Sequence, residues 1–347
     1  MGLIQQKDLP DPRRYDVIPP DMNHVYFEHA DAIPLEPGNT DFSPANAWWF
    51  AECAFVTYCH PGFVRLAYRL VGFDGFRFFQ GKGTECMVGW NAAVAVVSFR
   101  GTELKSRSAL HEIGTDMDTR PVPFEGGGKV HQGFLKGLEE IWEGPDGLKT
   151  FLDGLMDEAP DRPLWITGHS LGGALATLCF ARTPQAKGLY VFGAPRVGDQ
   201  IFVDTLAGRP IWRVEHGRDP VPMFPPDLPK VNFRFRDPGQ LVFITRDGRL
   251  LDARPVLTRQ DHESRLAELK EIRNSRRQKI SRSIAKAPRN VEGTRLVMGK
   301  ISRHIQKSRD ELKSHLDELN DYLGLKVDDH QPIFYVIKLW NALVRAD

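Results

Sequence analysis

Hydrophobic periodicity is absent from the first stretch of the chain. Residues 1–42 are rich in Pro and acidic side chains (Pro10, Pro12, Pro19, Pro20, Pro34, Pro37), which predicts an extended arm wrapping over a surface. Ser43-Pro44 then reads as an N-cap followed by Pro at the first helical position, opening a buried helix over 45–58 that carries Trp48 and Trp49. His60-Pro61-Gly62 reads as its stop. Runs rich in β-branched and aromatic residues predict strands over 73–79, 85–90 and 92–99, the last apolar almost throughout, as a strand covered on both faces must be.

Downstream the pattern alternates. A helical stretch over 134–156, a short apolar strand over 164–167, a helix over 171–182, a strand over 188–192, a short helix over 200–207 and a strand over 211–215 predict an α/β protein with a largely parallel sheet and helices on both faces. Segments 233–235 and 241–245, with Asp247-Gly248 leading into 249–251, predict a final strand and hairpin at the sheet edge. From 261 to 323 the chain is charged and helical in pattern, interrupted at Pro288 and Gly293. There Ile301, Ile305, Leu312, Leu316, Leu319 and Leu323 fall on one helix face that ends at Gly324. The domain reading is an arm at 1–42 and one domain at 43–347, with a charged helical insertion at about 255–324.

Composition narrows the class. Of 347 residues 41% are hydrophobic, mean hydropathy is −0.36, and no stretch reaches the ~20 apolar residues that cross a bilayer. Formal charge is only +1, but it is unevenly spread. From Ile272 to Arg309 twelve Lys and Arg face a single acid, Glu292, so one basic block sits on an acidic remainder. The N-terminus, Met1 to Asp8, lacks the apolar run of a secretory signal and has Gln6 where a myristoylation motif needs Ser or Thr. Cys53, Cys59, Cys86 and Cys179 form no C-x-x-C pair, and three of them lie in apolar runs. They read as free thiols rather than a disulfide framework or a zinc site. The expected location is cytoplasmic or peripheral to a membrane, with export lacking an N-terminal signal left open.

The candidate chemistry centres on residues 164–176, where an apolar strand runs through Gly168-His169-Ser170-Leu171-Gly172 into a small-residue helix. A hydroxyl is a weak nucleophile unless a sharp strand-to-helix turn exposes it to a base, and Gly168, Gly172 and Gly173 remove the Cβ atoms that would obstruct such a turn. His169 is adjacent to the serine and its side chain points elsewhere, so it reads as a packed histidine. A second buried strand ends at Phe99-Arg100-Gly101-Thr102. Acyl transfer needs two donors for its oxyanion, and an elbow of this kind draws them from the residue after the nucleophile, Leu171, and from the loop after this strand, Thr102.

These segments resemble the class 3 (fungal-type) lipases of the α/β-hydrolase fold. The resemblance extends to Val130-His131-Gln132-Gly133-Phe134, to Phe192-Gly193-Ala194-Pro195-Arg196-Val197-Gly198 and to Arg213-Val214-Glu215-His216-Gly217-Arg218-Asp219-Pro220-Val221-Pro222, in order over about residues 45 to 250. It implies an α/β-hydrolase with a mostly parallel central sheet flanked by helices, joined by a basic helical insertion before the C-terminal helix. It implies Ser170 as nucleophile, Asp219 as the acid that orients the base, and Thr102 and Leu171 as oxyanion donors. A turn-capping Asp is the lesser reading of Asp219, and Asp199 is a weaker competitor for the acid. Triad order in elbow enzymes puts the base after the acid, which leaves His262, His304, His315 and His330. The first three lie in the charged helical region, as surface histidines do. His330 opens a short apolar helix and resembles the family's late D-H-x-x-x-Y segment, although the interval from Asp219 is longer than the family's pattern.

The resemblance also puts a lid at 105–117, where Leu110, Ile113 and Met117 form a thin apolar stripe that a fixed surface helix would carry as well. The block 272–309 is either a solvated helical hairpin or a basic surface for peripheral contact with an anionic membrane. It has neither the aromatic residues nor the recognisable fold of a nucleic-acid binder, and no nucleic-acid partner is expected. The chemistry requires no metal or organic cofactor. The first functional reading is serine-dependent hydrolysis of carboxylic esters in lipids, as by a lipase or carboxylesterase. A phospholipase at anionic membranes, even an exported effector, is the alternative, and a catalytically silent binding module the weaker one.

Overall fold

Successive side chains of a strand point to opposite faces of its sheet, and in the central strands both faces are apolar. Strand β3 (Ala95–Phe99) sends Val96 to one face and Ala95, Val97 and Phe99 to the other, and β6 (Leu164–His169) likewise divides Trp165 from Leu164 and Ile166. Strand β7 (Gly188–Phe192) sends Tyr190 and Phe192 one way and Leu189 and Val191 the other. Such strands need cover on both sides. One face is covered by α1 (Pro44–Val56) and α7 (Pro332–Ala346), the other by α3 (Gln132–Trp142), α4 (Leu148–Glu158) and α5 (Leu171–Arg182).

The computed structural model describes residues 5–10, 24–102, 120–225, 233–245, 247–255 and 327–346. The lid segment 105–117, the basic block 272–309, the apolar stripe ending at Gly324, and His262, His304 and His315 lie outside the described residues.

With β1 (Gly75–Gln80), β2 (Glu85–Trp90), β8 (Ile211–His216), β9 (Gln240–Ile244) and β10 (Leu250–Leu251), the sheet has eight strands in the order β1-β2-β3-β6-β7-β8-β9-β10. The run β3-β6-β7-β8-β9 is parallel, while β1, β2 and β10 pair antiparallel at the edges. The sheet is thus mixed, with its parallel part in the middle. A separate two-stranded ribbon joins β4 (Pro121–Pro123) to β5 (Lys129–His131).

Several elements differ from the sequence reading. Pro61 starts a helix instead of ending one. It occupies the first turn of α2 (Pro61–Leu70), with His60 Nδ1 accepting from Gly62 N at 3.1 Å. The stretch 134–156 is two helices, interrupted where Gly144 adopts φ 106°. Residues 233–235 form no strand; Arg236 beside them makes an isolated bridge to Gly198. The described part of the arm is turned more than extended, with Phe27 and His29 at positive φ.

Polar anchors and buried rings hold that arm to α1 and the sheet. Trp49 Nε1 donates to Ile33 O at 2.7 Å, Trp165 Nε1 to Pro37 O at 2.9 Å, and buried His24 lies 3.1 Å from Glu52 of α1. Residues 5–10 lie along α7. There Lys7 N donates to Asn341 Oδ1 at 2.7 Å, Asn341 Nδ2 to Lys7 O at 2.9 Å and Trp340 Nε1 to Gln5 O at 2.9 Å. Trp340 also packs on Trp48 of α1, ring centroids 5.4 Å apart. Trp340→Ala should therefore lower stability by about 3–5 kcal/mol, read as a lower urea midpoint; an unchanged midpoint would contradict this packing.

Candidate active site

Ser170, Asp219, His330, Thr102 and Leu171 gather at the carboxyl edge of the parallel strands, where open α/β sheets place their ligands. Strand β6 ends at His169 and α5 begins at Leu171, so Ser170 alone makes the turn between them, at φ 58° and ψ −132°. Non-glycine residues rarely adopt positive φ, and surrounding structure must impose it. Here Ser170 N donates to Phe192 O at 3.0 Å, and Gly173 N donates back to Ser170 O at 2.9 Å. The Ser170 side chain is fully buried and its Oγ has no hydrogen-bond partner among the described residues.

Asp219 follows β8 in a turn. Its Oδ1 accepts from Val221 N at 2.8 Å; its Oδ2 accepts from His330 Nδ1 at 2.7 Å and from the Tyr335 hydroxyl at 2.5 Å. Burial, and then the neighbouring Asp219 charge, push the Tyr335 phenol well above its usual range, so it stays a donor. With Nδ1–H given to Asp219, His330 presents Nε2 as an acceptor, and that atom too is buried without a partner among the described residues. Gly193, just after the carbonyl that holds Ser170 N, packs against this pair: a Cβ there would lie 2.7 Å from Asp219 Oδ2 and 3.0 Å from His330 Nδ1. Its φ of 55° suits glycine as well.

His330 closes a short 3-10 turn, Val327–His330, that is tied to the segment after β8. Asp329 Oδ2 accepts from Arg218 N at 2.8 Å, and Asp329 O lies 3.0 Å from His216 Nδ1. Thr102 and Leu171 line one cleft of about 370 Å³ with Gln80 to Glu85, Arg100 and Gly101. Leu171 is the first residue of α5, and a first-turn N–H has no carbonyl partner within its helix. Asp199 is not part of this group. It caps the short helix α6 (Gln200–Asp204), accepting from Phe202 N at 2.9 Å.

Sequence reasoning assigned no role to Tyr335 or Asp329, although both stand in the segment that nominated His330. His169 is 2% exposed, a packed histidine, and it bonds to His330 O at 2.8 Å. Burial first, then His330, hold its imidazole well below the usual range; burial also lowers His216. Such groups bind protons more readily in the unfolded chain, so stability is full above the unfolded histidine pKa of about 6.5 and falls as pH drops below it. The urea midpoint should decline between about pH 7 and 5.5, and less so in His169→Gln. A flat profile in the parent would contradict burial of these rings as neutral groups.

Parts of the chain are similar in sequence to known lipases. Residues 96–228 match the family described as lipase (class 3). A secreted mono- and diacylglycerol lipase of Fusarium solani is 37% identical over 102 residues, covering 28% of this chain and 30% of that protein. A lipase of Rhizopus niveus is 36% identical over 155 residues, covering 41% and 36%. The chain thus spans about a third of the length of these curated relatives. A crystal structure of a lipase from Rhizopus microsporus var. chinensis covers 74% of this chain and 85% of its own at 25% identity and a TM-score of 0.47. Most of strand β3, the Ser170 turn and the Asp219 segment lie inside the region that matches the lipase (class 3) family.

Proposed function

We propose that the protein is a serine hydrolase of carboxylic esters in lipids, with Ser170 as nucleophile, His330 as base and Asp219 as the group that orients it. The observation that carries this reading is the buried hydrogen bond from His330 to Asp219, at the sheet edge where Ser170 makes a positive-φ turn, with the Ser170 hydroxyl and the His330 Nε2 both unpartnered among the described residues. Ser170 Oγ attacks the ester carbonyl as His330 Nε2 takes its proton. Asp219 stabilises the imidazolium, and Tyr335 keeps the carboxylate oriented. The backbone N–H groups of Thr102 and Leu171 receive the oxyanion. The proton then passes to the leaving alkoxide, and a water activated by the same imidazole releases the acyl group.

The substrate class rests on the relatives, whose names describe lipases, one of them acting on mono- and diacylglycerols. The hydrolase core is built from chain up to Arg254 and again from Val327, which supports an insertion at about 255–324. Peripheral contact of residues 272–309 with an anionic membrane rests on their charge. Among the described residues no helix is long and apolar enough to cross a membrane. The four cysteines are free and buried, which favours a reducing compartment for the location.

On a short-chain aryl ester, Ser170→Ala should abolish turnover and Asp219→Asn should lower kcat by about 10⁴, as when a triad carboxylate is lost elsewhere. Equal turnover by parent and Ser170→Ala would remove Ser170 from the mechanism. Replacing the cations of 272–309 by Gln should weaken binding to phosphatidylglycerol vesicles at low salt, measured by co-sedimentation. Undiminished binding would end the membrane proposal.

A further inference from the structure

Acyl transfer assigns no role to His169, yet it is among the most constrained polar side chains at the site. Its Nε2 lies 2.8 Å from His330 O and its Nδ1 2.8 Å from the Tyr58 hydroxyl. A carbonyl can only accept, so Nε2 carries the hydrogen, and Nδ1 is left to accept from Tyr58. Both nitrogens are therefore satisfied in the neutral ring. The ring lies 4.5 Å, centroid to centroid, from that of His330. Tyr58 follows α1, and its hydroxyl rests against the turn that leads to Thr102: a Cβ on Gly101 would lie 2.1 Å from it.

From these contacts we infer that Tyr58 and His169 are positioning residues that fix the main chain of His330 and so aim its Nε2 at Ser170. This rests on the triad proposed above. Asp219 restrains the His330 imidazole at one nitrogen only, and a ring held at one point can still swing with its backbone. His330 is the last residue of a four-residue turn, Val327–His330. Arg218 N and His216 hold the preceding residue, Asp329; the bond from His169 to the His330 carbonyl adds a restraint on His330 itself, and Tyr58 orients His169 in turn. The same line of hydrogen bonds runs past Gly101, so the base and the turn before Thr102 share one anchor at the end of α1. Neutrality matters as well as geometry. A charged ring 4.5 Å away would oppose the imidazolium that His330 must become, and a buried, neutral His169 does not.

The test compares His169→Leu, His169→Gln and Tyr58→Phe with the parent and with Ser170→Ala. Readouts are kcat and KM on an aryl ester, the rate at which a fluorophosphonate labels Ser170, and the melting temperature. A misplacement of the base near 1 Å costs about 100-fold in rate, so His169→Leu should lose about that in kcat and in labelling, with KM held. His169→Gln, which can donate to His330 O and accept from Tyr58, should recover most of the loss. Tyr58→Phe should fall between. Full activity in all three variants overturns the inference while leaving the triad intact. So does a loss in His169→Leu that Gln does not recover and that follows the melting temperature or KM, since that marks a packing role. Should His169→Leu fail to fold, His169→Gln and Tyr58→Phe decide alone: Tyr58→Phe must lower kcat at unchanged KM while Gln retains activity. Turnover by Ser170→Ala equal to the parent would instead overturn the triad itself, whatever position 169 shows.

Discussion

A carboxylate buried beneath the edge of a sheet has to be met by donors, and satisfying Asp219 organises this end of the molecule. Its side chain takes hydrogen bonds from Val221 N, His330 and Tyr335, three donors from two distant parts of the chain. Leaving such a group unpaired would cost several kcal/mol, so the pairing is structural before it is catalytic. Docking α7 brings Tyr335 and His330 to the carboxylate together, because they flank the first turn of one helix. The face of α7 that packs against α1 through Trp340 and Trp48 then fixes where those donors arrive.

The placement of Ser170 and Asp219 in the candidate site was legible in the sequence because its signals are local. A strand-to-helix switch within a few residues, small side chains around Ser170 and an acid after an apolar strand are patterns that short-range sterics dictate, and the structure places Ser170 and Asp219 where those patterns put them. His330 was the hardest to select, since nothing local distinguishes a base from a capping histidine. What escaped reading depends on contacts between segments far apart in sequence. Asp329 matters because Arg218 N faces it, and His169 because the carbonyl of His330 lies 2.8 Å from its ring. A similar limit explains Pro61. Proline is both a helix stop and a favoured first residue, and only the packing of Val64, Ala67 and Tyr68 against the sheet makes the second role win.

The mixed character of the sheet has the same origin. Alternation of strand and helix specifies parallel neighbours, and β3, β6, β7, β8 and β9 obey it. Strands β1 and β2 are joined by a tight turn with no helix between them, so they can only pair antiparallel. The cleft bearing Thr102 and Leu171 is walled by that turn, Gln80 to Glu85.

The long interval between acid and base poses a physical question that the sequence raised and the described residues answer. In general, lengthening a chain interval costs only about 0.6 kcal/mol of closure for each doubling, so a long interval is tolerable if both ends are held. Both ends land on the same short segment. Arg254, where the chain leaves the core, pairs with Glu215 of β8 at 2.5 and 2.9 Å; Asp329, just after its return, accepts from Arg218 N. Four sequence positions therefore span the two anchors, and Asp219 follows at once. These ties, with the bonds of His216 to Asp329 O and of His169 to His330 O, hold His330 against Asp219 among the described residues. The length of the interval consequently carries no weight against His330 as the base.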